Sequence, residues 1–161
     1  MFIFEFIALW VGLYLCAGVH EMGHCVVGWL HGGRTIRFQV GGGKLLTWKR
    51  GQCVLAIGSH PFAGACVQQF PAAARSWDYA RCALWVAIGG PLASLAVCCA
   101  LALCVALGFQ LALTVLLLAI QVGMLWQSMK RLPAGRYNDG SKVQECLALL
   151  RRPCRYRSLG A

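Results

Sequence analysis

The run FIFEFIALWVGLYLCAGVHEMGHCVVGWL, Phe2 to Leu30, is apolar throughout except for Glu5 and the element His20-Glu21-Met22-Gly23-His24. An α-helix rises about 1.5 Å per residue and crosses a bilayer in about 20 residues. This segment therefore spans with residues to spare. A cleaved signal peptide would open on basic residues and end its apolar core at a small-residue site. This one opens on MFIFEF and runs on into ionisable groups, so it is expected to be retained. Ionisable groups inside a span are expensive and mark a functional site.

The rest of the composition agrees with a lipid solvent. Of 161 residues, 59% are hydrophobic and 12% charged, where soluble domains carry about 25% charged residues. So small a soluble fold could not hide that much apolar surface. A second apolar run, about 83–128, is too long for one crossing of a hydrocarbon layer about 30 Å thick. Gly108-Phe109-Gln110 breaks it into two helices, about 83–107 and about 109–128. Between the first and second helices, Thr35–Val40, Lys44–Lys49 and Gln52–Ile57 alternate partially. Gly41-Gly42-Gly43 and Arg50-Gly51 punctuate them as turns. The fold class expected is a membrane all-α bundle of three transmembrane helices (helix 1 about 2–30). A small β-hairpin or meander is inserted at about 35–58, lying at the membrane surface, and 59–82 serve as an irregular connector. Residues 1–150 form one domain, and 151–161 are a basic C-terminal tail.

Charge supplies the topology. All 15 Lys and Arg fall within 34–81 or 130–157. The positive-inside rule then places loop 31–82 and the tail in the cytoplasm. The N-terminus and the Gly108 turn lie on the other side of a cell (inner) membrane. The net charge of +10 sits beside apolar runs, which suits anionic lipid headgroups and excludes nucleic acid as a partner. The ten cysteines form no CxxC pair, and Cys98, Cys99 and Cys104 lie within an apolar run. They read as small hydrophobes, with neither disulfides nor cysteine metal ligands expected. Trp10, Tyr14, Trp29, Trp77, Tyr79, Trp85 and Trp126 read as interfacial anchors.

On a helix, His20 and His24 project from one face and can share a tetrahedral metal. Glu21 then stands beside them as general base for an attacking water. A third protein ligand is needed, and His31, His60, Asp139 and Glu145 are the candidates. His31 and Gly28 each fall one residue late for an HExxHxxGxxH pattern, so His31 reads as a helix-end histidine. His60 precedes Pro61 in the connector, and Glu145 reads as a solvated helix charge. Asn138-Asp139-Gly140 is a good turn sequence. Asp139 also follows the third span on the side where helix 1 ends, so it can fold back toward the two histidines.

Four ordered blocks over about residues 8–147 resemble the site-2 protease family of intramembrane zinc metalloproteases. They are HEMGH, then Phe38 through Gly41 and Lys44-Leu45 to His60-Pro61-Phe62-Ala63-Gly64, then Gly89-Gly90-Pro91-Leu92-Ala93-Ser94, and last Leu132-Pro133 with Asn138-Asp139-Gly140. The second is similar to the family's glycine-bearing β region, the third to its GPLAN element opening a core helix, and the fourth to its proline-then-DG motif. The resemblance implies one Zn2+ per chain, held by His20, His24 and Asp139, with Glu21 as catalytic base. It implies hydrolysis of a peptide bond within or next to the transmembrane segment of a protein substrate. Ser94 stands where the family usually has Asn, and Lys130 stands at about the Asn position before the proline. A helical substrate must unwind to be cut, and exposed strand edges along 35–40 are expected to take up the extended segment. The alternative is a non-catalytic membrane adaptor of the same fold, with a metal-handling protein behind it. The partners expected are the transmembrane substrate, the bilayer, and a second copy or regulatory membrane protein.

Overall fold

The computed structural model describes residues 2–70, 76–109, 111–130 and 138–151. The chain runs α1 (Phe2–Leu30), β1 (Arg34–Gly42), β2 (Leu46–Arg50), β3 (Cys53–Ile57), β4 (His60–Gln69), α2 (Ser76–Ala106), α3 (Leu111–Met129) and α4 (Asp139–Arg151). Gln110, Leu132-Pro133 and all but the first residue of the basic tail lie outside the described residues.

Among the described residues, three helices are long and apolar enough to cross a membrane: Ile3–Leu30, Asp78–Ala106 and Ala112–Met129. Two of the helix ends share one device. Gly32 adopts φ 75°, Gly32 N–H donates to Trp29 at 2.9 Å and Gly33 N–H to Gly28 at 2.8 Å. Gly108 repeats this at φ 76°, with Gly108 and Phe109 donating back to Val105 and Cys104, each at 3.0 Å. The left-handed glycine closes the helix and satisfies carbonyls that would otherwise be orphaned. The interior between helices is lined by small side chains, among them Cys16, Ala17, Ala80, Ala87 and Cys98. That is how helices pack where no hydrophobic drive separates them from lipid. Large apolar residues such as Leu15, Leu103 and Trp126 face outward.

The expected architecture needs correction in both the bundle and the insertion. The bundle is not purely three-helix and all-α: a fourth helix, α4, follows the last span. It is short and weakly apolar, so hydropathy does not reveal it. Helix 2 begins at Ser76, not at about 83, because hydropathy marks bilayer thickness and not helix length. Asp78 and Arg81 stand on the first turns. Gly89-Gly90-Pro91 consequently lies in the middle of α2 and does not open it.

The insertion is also not a meander. It is a sheet ordered β2-β3-β1-β4, with β1 parallel to β3 and antiparallel to β4, and β2 antiparallel to β3. The stretch read as connector contributes β4. Its Pro61 and Gly64 hide it from any pattern of alternation, yet both fit an edge strand that meets another backbone closely. Residues 35–40 lie on β1, which is paired on both sides, so the free edges belong to β2 and β4.

The sheet runs beside α1 and does not cap its end. Phe62 meets the ring of Trp10 at 6.4 Å, Cys66 Sγ lies 3.0 Å from Cys25 Sγ, and Gln68 packs on Gly28. From Trp10 to Gly28 is about 27 Å of helix at 1.5 Å per residue. Tyr14 Oη donates to the Gly58 carbonyl at 2.8 Å, tying the sheet's far end to the helix.

Candidate metal centre

His20 and His24 sit one turn apart on α1, and their Nε2 atoms are 3.3 Å from each other. Asp139, 119 residues from His20, opens α4 and brings Oδ2 to 3.1 Å from His20 Nε2. Its Oδ1 lies 3.3 Å from His24 Nε2. Four donors about 2.0–2.1 Å from a tetrahedral zinc stand about 3.3–3.4 Å apart. The three contacts lie near that length, those to Asp139 being made by its two different oxygens, and the donor set of two imidazoles and a carboxylate is one zinc accepts. Among the described residues this is the one group of three His, Cys, Asp or Glu placed to hold a metal ion. No ion is present, and the residues fit one.

The backbone explains how α1 and α2 come so close. A Cβ on Gly23 would strike the Gly89 carbonyl and Ala93, and one on Gly89 would meet the Gly23 carbonyl at 2.6 Å. Thus Gly23, an unassigned position within HEMGH, is where the two helices cross. A Cβ on Gly90 would run into the Nε2 atoms of both His24 and His20. The imidazoles need that space.

The other ring nitrogens are held as well. His24 Nδ1–H donates to the Val86 carbonyl at 2.6 Å, which leaves Nε2 free as a ligand atom. His20 Nδ1 lies 2.8 Å from Ser94 Oγ, and Ser94 is 2% exposed. Sequence reading noted Ser94 only as a departure. Its spacing of four from Gly90 on one helix face was the signal available.

Asp139 is positioned by its neighbours. Asn138 caps α4, its Oδ1 accepting from Ser141 N–H at 2.9 Å. Asn138 Nδ2 donates to the Gln127 and Lys130 carbonyls at 2.8 and 2.6 Å. Lys130 therefore serves through its backbone. A Cβ on Gly140 would collide with the Met129 carbonyl, so glycine lets α4 start against the end of α3. Burial pushes the Asp139 carboxyl up, but the His20 and His24 imidazoles beside it outweigh burial. They hold the group well below the usual carboxylate range.

Glu21 is buried beside the histidines. A Cβ on Gly64 would overlap its carboxylate, so the β4 backbone forms the opposite wall. All four groups line one cavity of about 1110 Å³, with β4 residues Phe62 to Gln68 along one side and Lys142 and Glu145 of α4 along another. The remaining ligand candidates stand outside the donor group. His31 is exposed at the end of α1, bonded to the Val27 carbonyl at 2.8 Å. His60 lies on β4, stacked on Phe62, and is not a connector residue. Glu145 is exposed and outside the donor group.

Compared with known proteins, residues 8–150 match the family model described as Peptidase family M50. No match is found among curated proteins.

Proposed function

The chain belongs to peptidase family M50, the site-2 type of metallopeptidase, and on that premise we propose that it is an intramembrane zinc metalloprotease. Its substrate is a membrane protein, cut within or next to a transmembrane segment. The observation that carries the reading is the convergence of His20, His24 and Asp139, whose ring nitrogens and carboxylate oxygens meet at 3.1–3.3 Å, with Glu21 buried in the same cavity. His20, His24 and Asp139 hold one Zn2+. When bound, the ion supplies Lewis acidity, acidifying water and polarising a carbonyl.

The protein's own groups do the rest. Glu21 takes a proton from the attacking water onto its carboxylate and returns it to the leaving amine. The Gly64 backbone excludes bulk water from one side of that carboxylate. The free edge of β4, which lines the cavity, offers main-chain groups to an extended substrate segment. That assigns the strand-capturing role to β4, in place of residues 35–40. Unwound substrate and an open strand edge are tolerated at membrane depth only against protein or water, and the cavity provides both. The three spans, with every Lys and Arg outside the apolar runs, support a multi-pass protein of the cell membrane with the basic flanks cytoplasmic.

The test is co-expression of reporters carrying different single-span segments with the wild-type chain and with Glu21→Gln. The variant should lose about 10²–10⁴-fold in cleavage rate while keeping its zinc. Equal cleavage by both would remove Glu21 from the mechanism. Zinc bound by a wild-type chain that cleaves no reporter would favour the adaptor of the same fold.

A further inference from the structure

We infer that Ser94 is a positioning residue of the metal centre, whose hydroxyl accepts from Nδ1–H of His20 and so aims Nε2 of that ring at the metal position. The inference rests on the metal-centre reading above and deepens it.

The two histidines are supported differently. His24 Nδ1 faces a backbone carbonyl, that of Val86 at 2.6 Å. A carbonyl can only accept, so this nitrogen carries hydrogen, with the Gly90 N–H lying 3.3 Å away, and Nε2 is the ligand atom. His20 Nδ1 faces the Ser94 hydroxyl at 2.8 Å, which can donate or accept by turning about one bond.

On the other side of the His20 ring, Nε2 faces Asp139 Oδ2 at 3.1 Å and His24 Nε2 at 3.3 Å, so Nε2 is the ligand atom and Nδ1–H is left to donate to Ser94 Oγ.

Ser94 is 2% exposed, so bulk water cannot substitute for the missing partner. A buried ring nitrogen left without a partner costs about 1–3 kcal/mol. Serine at the position where the family usually has asparagine is, on this account, a working substitute and not a lesion.

The experiment uses the full chain in detergent or lipid discs, with Zn2+ affinity measured by chelator competition and Co2+ ligand-field spectra recorded in parallel. Neither readout needs a substrate. Ser94→Ala, which keeps the size of the site, should weaken Zn2+ binding by about 10–100-fold and change the Co2+ spectrum. Its unfolding temperature after chelator treatment should stay near that of the wild type. Ser94→Thr, which keeps the hydroxyl, should recover most of the affinity. Equal affinity and equal spectra for Ser94→Ala and wild type would overturn the role of Ser94 alone. A wild-type chain that takes up no Zn2+ or Co2+ would overturn the metal-centre reading itself. Should the variants fail to fold, nitrogen NMR of 15N-histidine in the zinc-loaded wild type decides: a bare Nδ1 on His20 overturns the proposal.

Discussion

The metal corner and the sheet meet at Glu21, but they are built on different principles. The corner is made of side chains from three helices, and glycine at the contacts makes room for them: Gly23 against Gly89, Gly90 beneath both imidazoles, Gly140 against Met129. The sheet presents backbone. It meets the chemistry at Gly64, which leaves the Glu21 carboxylate in place by lacking a side chain. One region holds a metal through specific atoms, and the other shapes a wall and offers a strand edge. Damage to the first should appear as lost metal, and damage to the second as lost turnover with metal retained.

The sharpest way to break that division is a pair of added methyl groups. Gly90→Ala places a Cβ against both ligating nitrogens. It should lower Zn2+ affinity by about 10²-fold or more, at the upper end of what altered support of metal ligands costs. Metal analysis of the purified chain reads this directly. Gly64→Ala should keep stoichiometric zinc yet reduce reporter cleavage by about 10²-fold, the effect of a displacement of about 1 Å at a reacting group. Zinc lost from Gly64→Ala, or kept at full affinity by Gly90→Ala, would dissolve the distinction.

A smaller effect separates the edge of the sheet from its interior. In a strand, successive N–H groups point to opposite sides, so proline at Ala65 and at Cys66 removes one donor toward β1 and one on the free edge. The free-edge substitution should slow cleavage without lowering the unfolding temperature; if neither does so, β4 is not the strand that pairs with substrate. Smallest of all, Tyr14→Phe removes the hydrogen bond to the Gly58 carbonyl. It should cost about 1 kcal/mol of stability, read as a modest drop in unfolding temperature, with zinc content unchanged.

Legibility differed between the same two regions. Helix 1 could be read residue for residue, because a span imposes an apolar length and the i, i+4 histidines share a face wherever the helix goes. The break at Gly108 was legible because a left-handed cap requires glycine. β4 was not, since a strand containing Pro61 and Gly64 acquires its conformation from β1 and α1 and not from alternation. α4 was hidden for a related reason: Asn138-Asp139-Gly140 reads as a turn until Asn138 is seen capping a helix and tying it to the Gln127 and Lys130 carbonyls. Ser94 and Val86 could not be assigned from sequence, because supporting a ring nitrogen depends on which helix faces it.

By itself the sequence determined that the chain is built for lipid, that its first span carries two histidines and a glutamate on adjoining positions, and which residue types could complete the set. Local rules suffice there, since helix periodicity and solvation act over a few residues. Only the tertiary structure decided that Asp139 reaches both imidazoles, that Ser94 backs one and Val86 the other, and that β4 walls the glutamate. Each of those depends on backbones meeting across 40 to about 120 positions of chain, at contacts where a missing Cβ sets the distance.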